Sequence, residues 1–434
     1  MLERIRNSKY LQHSIFSFGG QIAFLLSNFL LFVLLINKIS QDLYGIWALY
    51  MTIVSIADAI RQGMVNNGLA RLLIKSPQNK SLVNTGFCLN YGLIVLISTS
   101  AFIASLLWPN PSALIEILPH LWKTLLMLGT MQFISTLCQA SFRFKDYLIV
   151  NLIYLGCLVL SIVFLNQTSE TISLTEVIKA QLVSLVLPVA YFLYKSDLSL
   201  KIPKKSEFKR LLDFGKYSAG TNMLSILFHK ADILMIAFFL DPVSVALFHF
   251  ATKITNYAEL PLHALSQVIY PRLSASYHTN NSNDLNKEYG LAIIRLLVCV
   301  IPITITVIMF NSQIINLLSS GEYMDSSQLI IVLSLGIVFK PWGRVFGLTL
   351  DAIGKPKINF NMLTISLMIN ISVNLLLIPI YGVIGAAIAT TLSIIITTII
   401  GQFRIKHYAS IKPIKDVWQA LRGQGSNLKS ISWN

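Results

Sequence analysis

What most constrains this chain is the number and length of its apolar stretches. An α-helix rises about 1.5 Å per residue, so roughly 20 apolar residues cross the hydrocarbon core of a bilayer. On that ruler twelve segments qualify: 12–36, 44–66, 82–107, 118–140, 147–166, 174–194, 212–239, 243–270, 288–310, 326–350, 357–379 and 381–404. The second and eighth carry the most polar groups. Of the 434 residues, 54% are hydrophobic and 12% charged, and mean hydropathy is +0.66. A water-soluble domain cannot be drawn from that composition. The expected fold class is therefore an all-α polytopic membrane protein of about twelve transmembrane helices.

The connecting segments separate by charge. The N-terminus (Arg4, Arg6, Lys9), the segments 71–80, 143–145, 195–210, 272–287 and 355–357, and the tail from Arg404 to Lys429 are all basic. The alternate segments hold Lys38 and Lys123, and otherwise Asp42, Glu116, Glu170, Asp241, Glu322 and Asp325. Basic loops stay in the cytoplasm, so both termini are expected there. The net charge of +15 is thereby explained without nucleic acid, since cations beside apolar spans face anionic membrane lipids. The first apolar stretch is full length and no small-residue cleavage site follows it, so no cleaved signal peptide is expected. Cys88, Cys138, Cys157 and Cys299 lie singly in apolar stretches without metal-ligand spacing, which predicts packing roles, no disulfide and no metal.

Adding 201 to a residue number superimposes part of the chain on itself. Lys9 falls on Arg210, Leu11 on Leu212, Gly45 on Ala246, Trp47 on Phe248, Asp58 on Glu259, and Arg71-Leu72 on Arg272-Leu273. Six spans separate the copies, so both have the same orientation in the membrane. The expectation is two six-helix lobes related by a pseudo-two-fold axis along the membrane normal, the architecture of an alternating-access carrier. The lobes are 1–194 and 212–407, joined by a basic cytoplasmic linker, 195–211, and followed by a cytoplasmic tail, 408–434.

A charge at membrane depth costs at least a few kcal/mol and marks function or a partner. The stranded charges are mostly cations: Arg61, Lys230, Lys253, Lys340 and Arg344. Lys340 lies about 20 Å and Arg344 about 26 Å from the outer end of their span. They share a helix face, and Pro341 between them predicts a kink. Each has a bland alternative. Arg61 can pair with Asp58 three residues before it, and Arg344 can snorkel to the surface. Lys230 stands beside His229 and two residues from Asp232, on another face. Asp58, Asp232 and Glu259 are candidates to balance the cations, or to couple transport to a proton or sodium gradient. A cleft lined by ammonium and guanidinium groups suits phosphate or diphosphate. Asn222, Asn256, Tyr257, Gln267 and Trp342 add amide and aromatic groups of the kind that bind sugars.

No Walker loop, GxSxG, HExxH or acidic pair in a soluble segment is present, and no loop is long enough for a catalytic domain. The expectation is a transporter, not an enzyme, without a cofactor.

Particular motifs carry a family resemblance. The run Leu211-Leu212-Asp213-Phe214-Gly215, then Lys230-Ala231-Asp232, Ala264-Leu265-Ser266-Gln267 and Tyr270-Pro271-Arg272-Leu273-Ser274, resembles the seventh and eighth helices of bacterial polysaccharide flippases. So do Asn374-Leu375-Leu376-Leu377-Ile378-Pro379, Tyr381-Gly382-Val383-Ile384-Gly385-Ala386-Ala387 and the turn Asp42-Leu43-Tyr44-Gly45-Ile46-Trp47. These flippases belong to the multidrug/oligosaccharidyl-lipid/polysaccharide exporter superfamily, whose fold is MATE-like. The resemblance implies that an undecaprenyl-diphosphate-linked oligosaccharide, such as an O-antigen repeat unit, is carried from the cytoplasmic to the periplasmic leaflet. A polysaccharide polymerase and a chain-length regulator are the implied protein partners. Lys253, Lys340 and Arg344 match no motif of the family, so their role rests on depth and charge. The runner-up is an ion-coupled multidrug exporter, which would place acids rather than lysines in its cleft.

Overall fold

The computed structural model describes residues 2–75, 79–107, 118–168, 172–195, 204–278, 282–409 and 411. Most of the expected linker (196–203) and almost all of the tail beyond 409, with Glu116 and Glu170, lie outside the described residues. Of the described residues, 94% are helical and none is in a strand. That satisfies each spanning backbone within its own segment, as lipid demands.

The described residues divide into two compact units, 1–226 and 227–434, with the boundary inside one long helix. The first unit holds α1 (Leu2–Lys38), α2 (Gln41–Arg61), a π-helical turn (Gln62–Asn67), α3 (Gly68–Lys75), α4 (Lys80–Leu107), α5 (Leu121–Ala140), α6 (Phe144–Thr168) and α7 (Leu174–Lys195). The first part of α8 (Lys205–Phe239) completes it. The second unit holds the rest of α8, then α9 (Pro242–Ala258), α10 (Leu260–His278), α11 (Ser282–Met309), α12 (Asn311–Ser319), α13 (Ser327–Ile337), α14 (Lys340–Ala352) and α15 (Pro356–Ala409).

Among the described residues eight helices are long and apolar enough to cross a membrane, or nine when the bent pair α13–α14 forms one span. The twelve-span reading accommodates the difference. α15 is interrupted at Gly382, where φ is 61° and ψ is −142°, a conformation that strains any residue with a Cβ; it therefore contains the two expected spans 357–379 and 381–404. The 20-residue α5 and the broken pair α9–α10 supply the others. Side chains that would be buried in a soluble protein face outward here, including Leu160, Phe164, Phe238, Leu376 and Ile380, as lipid-facing positions should.

The 201-residue offset reappears in helix boundaries. α1 ends at Lys38 and α8 at Phe239, while α2 begins at Gln41 and α9 at Pro242. The caps repeat as well: Ser40 Oγ accepts from the Leu43 amide at 3.4 Å, and Asp241 Oδ1 from the Ser244 amide at 2.8 Å. Beyond this the copies diverge. α9 ends at Ala258 with Glu259 as its cap, three residues before Pro261, which has no amide hydrogen to carry the ladder of α9 onward. The first unit has Ile60 at the matching position, and there the helix runs on into its π-helical turn.

The core of the first unit gathers Leu69, Leu82, Met131, Phe133, Leu137 and Tyr154 from α3 to α6. In the second unit Phe250 of α9 stacks on Tyr323 with ring centroids 4.7 Å apart. Gly63, in the π-helical turn, lies against α8 so closely that a Cβ would sit 2.3 Å from Ala219 Cα. Only glycine permits that approach.

Candidate functional site

In the second unit two helix breaks present polar side chains to each other. α13 and α14 meet at a bend of 42°, and Pro341 occupies the first turn of α14, where its missing amide hydrogen costs least. The kink predicted from Pro341 is thus present, and it falls immediately before Lys340. Glu259 caps α9 at the second break. Lys340 donates to Glu259 in an ion pair whose carboxylate is 9% exposed and whose lysine is 30% exposed. Seven residues beyond Glu259, on the same face of α10, Ser266 Oγ accepts from Arg344 Nε at 2.9 Å. Lys340 and Arg344, four apart on α14, meet Glu259 and Ser266 as two rungs of one polar ladder. Lys340 is therefore neutralised by an acid 81 residues away in sequence, and Arg344 is held within the helix pair.

Lys230 of α8 and Lys253 of α9 are arranged differently. Both are half-buried, and among the described residues neither is ion-paired. Lys253 lies close enough for its charge to act on Lys230, and His249 is buried one turn before Lys253 on α9. Two unpaired like charges in a partly desolvated setting make a site that gains from an anion. His229, beside Lys230, is exposed.

Asp232 points to another face of α8 and is 6% exposed. Its Oδ1 accepts from Asn370 Nδ2 at 3.0 Å and from Asn374 Nδ2 at 2.6 Å, two amides one helical turn apart on α15. The Oδ1 atoms of both asparagines are buried without a hydrogen-bond partner among the described residues. A carboxylate beside two idle amide oxygens is a set of hard oxygen donors.

The first unit treats its stranded charges as a closed network. Arg61 is 0% exposed. Its Nε donates to Asp58 Oδ1 at 2.5 Å, and Nη2 donates to Asp58 Oδ2 at 3.1 Å and to Gln132 Oε1 at 2.5 Å. Nη1 donates to Asn90 Oδ1 at 2.6 Å, and Gln62 Nε2 donates to Asp58 Oδ2 at 2.8 Å. The pairing of Arg61 with Asp58 that sequence left open is present, and the enclosed guanidinium donates four of its five N–H groups. Asp58 and Glu259, matched by the repeat, both serve as counterions, one to its own helix and the other across a helix pair.

Sequence reasoning overlooked Gln62, Asn90, Gln132 and Asn370, and it named Ser266 and Asn374 only within family motifs, with no polar role. Their signal was weak because an uncharged amide or hydroxyl in a span is far less costly than a charge. The amides it did single out are scattered: Asn222 accepts from Asn67 at 3.5 Å, and Asn256 is exposed.

Folds of this kind define a class. Solved structures with the same arrangement include an inward-facing MATE-family multidrug resistance transporter of the MOP superfamily, with a TM-score of 0.74 at 15% identity over 89% of this chain and 94% of that one. Another is the lipid II flippase MurJ in an inward closed conformation, with a TM-score of 0.71 at 20% identity over 94% and 90%. The protein is thus a multi-pass membrane protein with a MATE-like fold. A sequence profile described as polysaccharide biosynthesis protein matches residues 39–328, and the chain belongs to that family. It is 25% identical over 244 residues to the probable low-salt glycan biosynthesis flippase Agl15 of Haloferax volcanii, covering 56% of this chain and 52% of that sequence. The match therefore spans about half the length of that relative. The probable flippase AglR of the same organism is 22% identical over 409 residues, 91% of this chain and 83% of its own.

Proposed function

We propose that this protein is a flippase that carries a lipid-linked oligosaccharide, an O-antigen unit or a related repeat on undecaprenyl diphosphate, from the cytoplasmic to the periplasmic leaflet of the inner membrane. Relatives described as flippases support the transport step, and the carrying observation for the cargo is the pair Lys230 and Lys253. An organic-cation exporter would place acids at such a position. A diphosphate keeps its charge at neutral pH and is attracted by two unpaired ammonium groups. Lys340 and Arg344, each already partnered, flank rather than form the anion site. Arg61 lies outside it. Asp232 with the idle oxygens of Asn370 and Asn374 is the candidate coupling group, for a proton on the carboxylate or a sodium ion among the oxygens.

The test is complementation of a flippase-null strain with surface glycan as the readout and membrane protein level as the control. Lys230→Gln and Lys253→Gln together should abolish glycan display at normal protein level, while the two Lys→Arg changes keep charge and retain most of it. Normal glycan in the neutral double variant would remove the anion site.

A further inference from the structure

The first unit contains a cavity of about 330 Å³ among α1, the π-helical turn, α5 and α6. That is at the lower end of the roughly 300–1,000 Å³ typical of small-molecule sites. Its polar lining is carboxamide: Gln62, Asn66 and Asn67 from the π-helical turn, and Gln132 and Gln139 from α5. Ser135 and Thr136 add hydroxyls, and Phe24 and Tyr147 add aromatic rings. Among the described residues no Lys, Arg, His, Asp or Glu lines it. Asp58 and Arg61 cancel each other behind Gln62 and Gln132, whose amides hydrogen-bond them, and Arg143 pairs with Asp146 beside Tyr147. The cavity is therefore neutral, so a phosphate finds no cation in it and a cationic drug no acid.

Its polar groups are also preorganised. A π-helical turn has a wider circumference than an α-turn and recurs at functional sites. Here it sets Gln62, Asn66 and Asn67 on one side. The turn is fixed from behind by the contact of Gly63 with Ala219 and by Asn67 Nδ2 donating to Ser218 Oγ at 2.9 Å. Asn66 is 9% exposed, and its Oδ1 is buried without a hydrogen-bond partner among the described residues.

We propose that this cavity is a saccharide subsite that holds one neutral sugar residue of the transported oligosaccharide. Amides both donate and accept, as sugar hydroxyls do, so a carboxamide-lined wall pairs with a hydroxylated ring in many orientations. Phe24 and Tyr147 add apolar surface against which the C–H groups of the sugar pack, and the carboxamides of the π-helical turn and α5 face its hydroxyls. The inference rests on the flippase reading and adds to it a sugar-binding wall within the first unit.

The experiment uses the full chain in nanodiscs, with the four native cysteines replaced. One reporter is Ser135→Cys in the cavity, and a second is Tyr257→Cys, one turn from Lys253. The rate of alkylation by N-ethylmaleimide is measured with undecaprenyl diphosphate bearing a sugar and with undecaprenyl diphosphate alone. At a lipid concentration about ten times its Kd, the glycosylated lipid should slow alkylation of the cavity reporter about tenfold, and the bare lipid should leave it unchanged. Both lipids should protect the reporter near Lys253. Asn66→Ala should reduce protection in the cavity alone; if that variant does not fold, the near-isosteric Gln139→Met and Thr136→Val carry the same test. Equal protection of the cavity by both lipids would make it a headgroup site and overturn the proposal. Protection near Lys253 without protection in the cavity would overturn the sugar subsite and leave the flippase standing. Protection at neither reporter would overturn the flippase reading itself.

Discussion

Replacing Asp58 by Leu separates the two readings of Arg61. The wild-type guanidinium is fully enclosed and makes four hydrogen bonds, two of them to Asp58. Asp58→Leu leaves a buried cation with only two neutral amide acceptors. Removing one partner of a buried ion pair costs about 3–5 kcal/mol. At about 1.4 kcal/mol per decade, that is roughly two to three and a half orders of magnitude in the folding equilibrium. Arg61→Met should cost a similar amount by stranding the carboxylate. The double variant Asp58→Leu/Arg61→Met removes both charges and should be less destabilised than either single change. Its residual cost is about 1–3 kcal/mol, because Asn90 Oδ1 loses its donor in a fully buried position. The assay is equilibrium unfolding in mixed micelles, with glycan complementation in parallel for whatever folds. A stable Arg61→Met protein that has lost transport would refute the reasoning and return Arg61 to the substrate path. Additive costs in the double variant would likewise show that the two residues do not act as a pair.

Two further predictions concern the second unit. Glu259→Gln should lower stability by leaving Lys340 half-buried without its counterion, and Lys340→Gln in the same chain should restore much of the loss. If Glu259→Gln is silent in both unfolding and transport, the pair is incidental. Asp232→Asn keeps the shape of the side chain and should abolish transport into the outer leaflet of proteoliposomes under a sodium or proton gradient, while binding of the lipid-linked substrate persists. Gradient-driven transport by that variant at wild-type rate would exclude Asp232 as the coupling group.

Much of this protein follows from transfer free energies that act residue by residue along the chain. Span lengths, the break at Pro341 and the division of α15 at Gly382 are local in that sense. The helix boundaries at 38, 41, 239 and 242 fall within three residues of the span ends 36, 44, 239 and 243 read from sequence. Which charges are free is a different kind of fact. Lys253 and Lys340 look alike in sequence, each an intramembrane lysine with no acid three or four residues away. Yet one remains unpaired and the other meets Glu259, because the break before Pro261 and the bend before Pro341 bring those two ends together. Arg61 could have lined a path or paired with Asp58. The amides of Asn90 and Gln132, from two other helices, close around it. The rotation of each helix about its own axis is set by packing against its neighbours, and nothing local encodes it. Sequence therefore determined the apolar spans and the break at Pro341, but it read 44–66 and 243–270 as unbroken, and the π-helical turn and the break at Glu259 came only with the structure. Tertiary packing alone decided which polar groups are spent on each other and which remain for a ligand.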